Sequence, residues 1–382
     1  MIRHRRLMKL LVLLAVVMTV TLFVQNLQHG HLSTSDIALE TLSAGEVTMQ
    51  ATAENITATA KETMVVILTY MRSGSTFTGD IIQRNPDVFY VFEPLHSVER
   101  FLRGKVKLMF FNHSQPSRTI SRSQKTLENF LTCNMRDIDV FTLGQAHMSN
   151  SIDTRAYHGC KTHNAGILGT LDCLPVLEQP CVRSRVSCVK TIRFNMTDMT
   201  YLMDKYRNIK IVHLIRDPRA TLRSQKSVRE FSWDSLDIHA EKLCQRAKRD
   251  FDVSSKMKSL YPGRILTLRY EDLAERPFVM TEQIYRFIGL DLTPSIRDYV
   301  QNITNASDKA CVNIRLCTRK NSTKIISKWR TSLSYNQVSA IDKICEPLYK
   351  VMGYLPVNNE QNLHNLSVPM YTAVPEEKSL EH

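Results

Sequence analysis

Residues Val65 to Phe77, VVILTYMRSGSTF, form an apolar run that breaks directly into Arg-Ser-Gly-Ser-Thr. Consecutive apolar and β-branched positions suit a strand covered on both faces, the kind found in parallel sheets sandwiched between helices. Asp80 to Gln83 read as a helix beyond the turn. A strand that passes to a helix through a short polar corner offers backbone N–H groups to an anion. Gly74 lets the backbone approach closely, Ser73, Ser75 and Thr76 add hydroxyls, and Arg72 adds a fixed charged fork. The corner lacks the second glycine and the Lys-Ser/Thr of a Walker A loop, which disfavours an ordinary ATPase. Taken alone, it reads equally well as a surface turn.

A second corner shifts that balance. Ile209 to Ser224, IKIVHLIRDPRATLRS, is another strand-like run, ending in Arg216-Asp217-Pro218-Arg219 and entering a helix. Pro218 suits the first helical turn, and Asp217 is the natural N-cap. Arg216, Arg219 and Ser224 could converge on a second phosphate. The plainer alternative is a solvated basic helix start with an Arg216–Asp217 ion pair.

Together the two segments resemble the Golgi carbohydrate 6-O-sulfotransferases, which sulfate galactose, N-acetylgalactosamine or N-acetylglucosamine in chondroitin, keratan and related glycans. The resemblance runs from about Met64 to Pro356. It includes VFYVFEPLHSVER (Val88 to Arg100), LRYEDLAERP (Leu268 to Pro277), IYRFIGLDLTP (Ile284 to Pro294) and KNSTKIISKWR (Lys320 to Arg330). It implies an α/β, P-loop-like sulfotransferase fold, with a central parallel sheet flanked by helices. The implied donor is 3′-phosphoadenosine 5′-phosphosulfate. Its 5′-phosphosulfate falls to Arg72, Ser73, Gly74, Ser75, Thr76, Phe77 and Thr78. Its 3′-phosphate falls to Arg216, Asp217, Pro218, Arg219, Ala220, Thr221, Leu222, Arg223 and Ser224. Lys328, Trp329 and Arg330 resemble the late basic segment that approaches the nucleotide; the alternative is a packed tryptophan covered by long cationic side chains. Tyr270 and Asp272 read as structural supports.

Sulfuryl transfer, like phosphoryl transfer, passes through a loose in-line transition state, so the protein mainly positions reactants and stabilises charge. Arg72 stays protonated and is assigned electrostatic stabilisation rather than proton donation. No metal is required. The acceptor hydroxyl needs a base, and the resemblance nominates Glu93. The alternative is a structural carboxylate paired with Arg72 or Arg100. The family continues Glu-Pro-Leu with an aromatic residue and then His, whereas this chain has His96 and then Ser97. If the segment is extended, a one-residue shift reverses the side-chain direction of His96.

Residues 1–9 carry Arg3, Arg5, Arg6 and Lys9 ahead of an uncharged apolar stretch at 10–27. Such a length is near the lower end of the roughly 17–25 residues of a spanning helix, and the flanking charge keeps the N-terminus cytoplasmic. The reading is a single-pass type II anchor, with a cleaved signal peptide as the alternative. A Ser/Thr/Ala/Glu-rich lumenal stem follows at 28–62, then a catalytic domain at 63–356 and a polar, loosely attached tail at 357–382. Phe101 to Thr191 shows no clean period and reads as an insertion bearing the acceptor surface, with Val186 to Ile192 as a strand.

Lys+Arg 50 against Asp+Glu 37 gives a net charge of +13, which favours polyanionic partners such as glycosaminoglycans and the donor. Nucleic acid is disfavoured, since no RNP, zinc-finger or basic-helix pattern is present. Nine cysteines fit an oxidising compartment with at least one left unpaired, and Cys311 with Cys317 could close a short loop. Sequons at Asn55, Asn112, Asn195, Asn302, Asn305, Asn321 and Asn365 agree with lumenal exposure. The sequence is compatible with a homodimer. A lumenal kinase and a catalytically silent glycan-binding relative are the competing functions.

Overall fold

The computed structural model describes residues 61–111, 121–305 and 321–374. The 10–27 anchor, nearly all of the stem, Asn55, Asn112, Cys311 and Cys317 lie outside the described residues. Among the described residues, no helix is long and apolar enough to cross a membrane.

Five strands, β1 (Thr63–Leu68), β2 (Val88–Phe92), β3 (Val186–Thr191), β4 (Ile209–Ile215) and β5 (Ile265–Arg269), form one sheet in the order β2-β3-β1-β4-β5. Every pairing is parallel; Val66 of β1 lies opposite Val189 of β3 on one side and Ile211 of β4 on the other. β1 is buried along its whole length, as its unbroken apolar run requires of a central strand. Its side chains alternate. Met64, Val66 and Leu68 pack with Leu127, Phe130 and Leu174 on one face, and Val65 and Ile67 pack with Ile81, Ile284 and Val300 on the other.

The chain leaves β1 toward β2 on one side and leaves β4 toward β5 on the other. The gap between the carboxyl ends of β1 and β4 is therefore the topological switch point, where parallel α/β sheets bind ligands. Both polar corners sit there.

Two expectations are corrected. The segment before β3 is largely helical rather than irregular, with helices Arg122–Leu131, Ile152–His163 and Gly166–Arg183. Pro175 and Pro180 lie inside the last of these, and prolines conceal a helical pattern at the sequence level. Cys133–Cys181 and Cys160–Cys173 disulfides staple this region, a Cys244–Cys345 disulfide joins helices Leu236–Leu260 and Tyr335–Met352, and Cys188 is free and buried in β3.

The tail is not loose through 357–374. Tyr354 bridges to Tyr371, Met370 and Val374 are buried, and the Arg330 guanidinium donates to the carbonyls of Asn362 (2.6 Å), Leu363 (2.9 Å) and Val368 (2.9 Å). One cation collecting several carbonyls holds a polar segment without any apolar period.

Candidate functional site

The first corner is held by backbone geometry. Ser73 N donates to Tyr70 O (3.1 Å), closing a turn whose third residue, Arg72, sits at φ 67°. A non-glycine residue in that region is strained, and such strain gathers at functional sites. Gly74 follows at φ 87°, and a Cβ there would lie 2.1 Å from the Tyr270 ring, so both conformation and space demand glycine. The helix begins at once, at Ser75–Ile82, earlier than Asp80. No side chain caps it, which leaves its first-turn N–H groups available to a ligand.

The second corner interlocks with the first. Asp217 caps helix Pro218–Ser227 through Arg219 N (2.8 Å). Arg216 Nη1 donates to Arg72 O (3.2 Å) and Nη2 to Ile325 O (3.4 Å), while the guanidinium lies 4.6 Å from the Tyr270 ring centroid. Its Nε is buried with no partner. Arg72 Nε donates to Ser224 Oγ (3.0 Å), and Gln225 Nε2 donates to Met71 O (3.0 Å).

A cavity of about 680 Å³ opens over both corners. Arg72, Gly74, Ser75, Thr76 and Phe77 line it from the first, and Arg216, Ala220, Arg223 and Ser224 from the second. Ser73, Thr78, Asp217, Pro218, Arg219, Thr221 and Leu222 do not. The expected convergence of Arg219 is corrected: it is fully buried, paired with Asp217 (2.9 Å) and Asp342 (3.3 Å), with Trp329 4.2 Å from its guanidinium. Lys328 and Trp329 reach the cavity wall, whereas Arg330 holds the tail instead. Arg223 makes no salt bridge among the described residues, and burial followed by the adjacent Arg216 charge lowers its pKa. Arg216 likewise makes no salt bridge among the described residues, although the buried Glu271 carboxyl lies near enough to feel its charge.

The other end of the cavity contains Phe92, Glu93, His147, Asn150, Lys190 and Arg193. Glu93, at φ 52° just past β2, is buried. Its Oε1 accepts from Lys190 Nζ (2.6 Å), and its Oε2 from Arg193 Nη1 (2.5 Å) and Ile192 N (3.4 Å). Its partners are thus Lys190 and Arg193, not Arg72 or Arg100. Oε1 retains a lone pair, so the ion pair does not exhaust the carboxylate. Lys190 is fully buried, and desolvation lowers its pKa against the opposing pull of Glu93.

Lys190, Arg193 and His147 escaped sequence reasoning. The signal for Lys190 was a lysine inside the apolar run VSCVKTI, since a buried charge needs a partner. His96 does not line the cavity. It opens helix His96–Leu102, where one residue is a turn of about 100° rather than a reversal. Its Nδ1 meets Gln145 Oε1 (2.9 Å), and Gln145 donates in turn to Ser97 Oγ.

Two strand-to-helix corners that share one cavity at the switch point of a parallel sheet define an α/β protein with its candidate ligand site where such sheets hold theirs. Residues 65–294 match the sulfotransferase family, and the chain belongs to it. Carbohydrate sulfotransferase 1 of Mus musculus is 28% identical over 349 residues, covering 81% of this chain and 84% of that protein. Carbohydrate sulfotransferase 6 of Homo sapiens is 26% identical over 343 residues, with 80% and 84% covered. Among solved structures, mouse sulfotransferase SULT7A1 complexed with PAP aligns at a TM-score of 0.42 and 12% identity, covering 76% of this chain and 84% of that one.

Proposed function

We propose that this enzyme transfers the sulfuryl group of 3′-phosphoadenosine 5′-phosphosulfate to the 6-hydroxyl of a galactose, N-acetylgalactosamine or N-acetylglucosamine residue in a glycosaminoglycan or glycoprotein glycan. The observation that carries this reading is the single cavity shared by both corners, lined by Arg72, Arg216, Arg223 and Ser224.

Bound there, the donor would supply an activated sulfuryl group on a phosphate leaving group. The first-turn N–H groups of helix Ser75–Ile82 and the Arg72 guanidinium stabilise charge on the leaving side. Arg216, Arg223 and the Ser224 hydroxyl hold the second phosphate. Ser224 Oγ already accepts from Arg72, which leaves its O–H free to donate. Glu93 takes the proton of the acceptor hydroxyl, with Lys190 and Arg193 orienting its carboxylate.

The disulfides support an oxidising compartment. Together with the basic N-terminus, the apolar 10–27 stretch and exposed sequons at Asn195, Asn302, Asn305 and Asn365, they support a type II Golgi glycoprotein with a lumenal catalytic domain. The purified full chain, incubated with sulfur-labelled donor and a panel of desulfated glycans, is expected to label one of them, and disaccharide analysis would identify the position. A folded protein that labels none, or that moves phosphate from ATP instead, removes the reading.

A further inference from the structure

His147 and Asn150, at the Glu93 end of the cavity, have no role in the transfer chemistry above. They stand on the 3-10 turn Ala146–Asn150. Three residues per turn bring i and i+3 onto one line, and both residues line the same cavity as Glu93. Neither makes a hydrogen bond or ion pair with another side chain among the described residues. His147 is held by packing instead, its ring 4.7 Å from that of His96 and 5.8 Å from that of Phe92.

The turn is firmly anchored. β2 is an edge strand, and its outward N–H groups are satisfied from the segment that carries the turn: Phe92 N donates to Ser151 Oγ (3.1 Å) and Tyr90 N to Asp153 Oδ2 (3.3 Å). Ile152 N donates to Gln83 Oε1 (2.9 Å), and Met148 is buried in the core. One side of the turn therefore enters the core while the other presents two polar groups beside the carboxylate.

The remaining polar groups at this end are charged, namely Glu93, Lys190 and Arg193. Burial, followed by the neighbouring His96, holds the His147 pKa down at about 4, so its imidazole is neutral near pH 7. A neutral imidazole and a primary amide each offer one donor and one acceptor face, which matches sugar hydroxyls rather than an anion.

We infer that His147 and Asn150 are the acceptor-recognition pair, hydrogen-bonding hydroxyls of the sugar ring so that the reacting hydroxyl turns toward Glu93. The inference rests on the sulfuryl-transfer reading and adds residues that determine which acceptor is held.

The test uses full-length enzyme, adenosine 3′,5′-bisphosphate as the donor-site probe, and the glycan that wild type labels. His147→Phe keeps the ring packing but removes the hydrogen bonds, Asn150→Ala removes the amide, and His147→Gln restores a donor and an acceptor. The first two should raise acceptor KM at least tenfold with bisphosphate Kd within twofold of wild type, and His147→Gln should recover most of the loss. Unchanged acceptor KM in both variants, with bisphosphate binding intact, overturns the pair alone. A fall in kcat at unchanged KM also overturns it. If His147→Phe fails to bind the bisphosphate, Asn150→Ala and His147→Gln decide the matter. A wild type that neither binds bisphosphate nor transfers sulfate overturns the transfer reading as well.

Discussion

Arg72 Nε donates to Ser224 Oγ across 3.0 Å, joining corners that lie 152 residues apart in the chain. Arg216 returns the contact through Nη1 to Arg72 O. Each corner therefore orients the other's cation, and the two come together only once β1 and β4 are neighbours.

Replacing Arg216 should weaken the donor site more than any other single change in the second corner. Arg216→Ala is expected to raise the Kd for adenosine 3′,5′-bisphosphate at least tenfold, about 1.4 kcal/mol, by calorimetry. Arg216→Lys should not restore it, because a point charge cannot bridge two carbonyls and lie over Tyr270 at once. Binding within twofold of wild type in the alanine variant would remove Arg216 from the donor site.

Glu93→Gln should separate chemistry from binding. Loss of a general base typically slows turnover by about 10²–10⁴, and bisphosphate affinity should stay within threefold of wild type. Thermal stability should fall too, since Lys190 is left charged and buried beside an amide. Normal kcat per folded molecule with a lowered Tm would reduce Glu93 to an ion-pair partner.

The Cys244–Cys345 disulfide spans 101 residues and ties helix Leu236–Leu260 to helix Tyr335–Met352. Closing so long a loop restricts the unfolded chain heavily. The double serine variant should therefore lose roughly 2–5 kcal/mol in urea unfolding under non-reducing conditions. An unchanged unfolding midpoint would contradict this.

Glu271 predicts a pH signature. It is fully buried, accepting from Asp217 N (3.1 Å) and Tyr354 OH (2.9 Å), and burial plus the Asp217 charge raise its pKa to about 7. A carboxyl whose folded pKa exceeds its unfolded value stabilises fully below the unfolded value and loses that contribution as pH rises through the folded one. Glu271→Gln is neutral throughout. Its stability relative to wild type should therefore improve between pH 5 and pH 8, by roughly 1–3 kcal/mol. A constant difference across that range would show Glu271 to be ionised throughout.

Some of the site was legible because it is local. The β1 and β4 runs, the glycine at a left-handed position, the Asp217 cap and Pro218 at the helix start depend on residues a few positions apart. Helix phase was less accessible. Ala220, Arg223, Ser224 and Ser227 recur at helical spacing and line the cavity, whereas Arg219, about a quarter turn round the helix from their common direction, is buried against Asp342. Nothing within the segment says which face looks at ligand.

The amino-acid order alone determined the two strand-to-helix corners, the alternation of β1 between two cores and the acidic residue that follows β2, since these arise from nearest-neighbour sterics and side-chain periodicity. Tertiary structure decided what that acid meets and what stands opposite it. Glu93 pairs with Lys190 because parallel register sets β2 beside β3, and His147 and Asn150 reach the same cavity because the edge of β2 takes its hydrogen bonds from Ser151 and Asp153. Pairings of that range are set by how the sheet closes, so no local pattern records them.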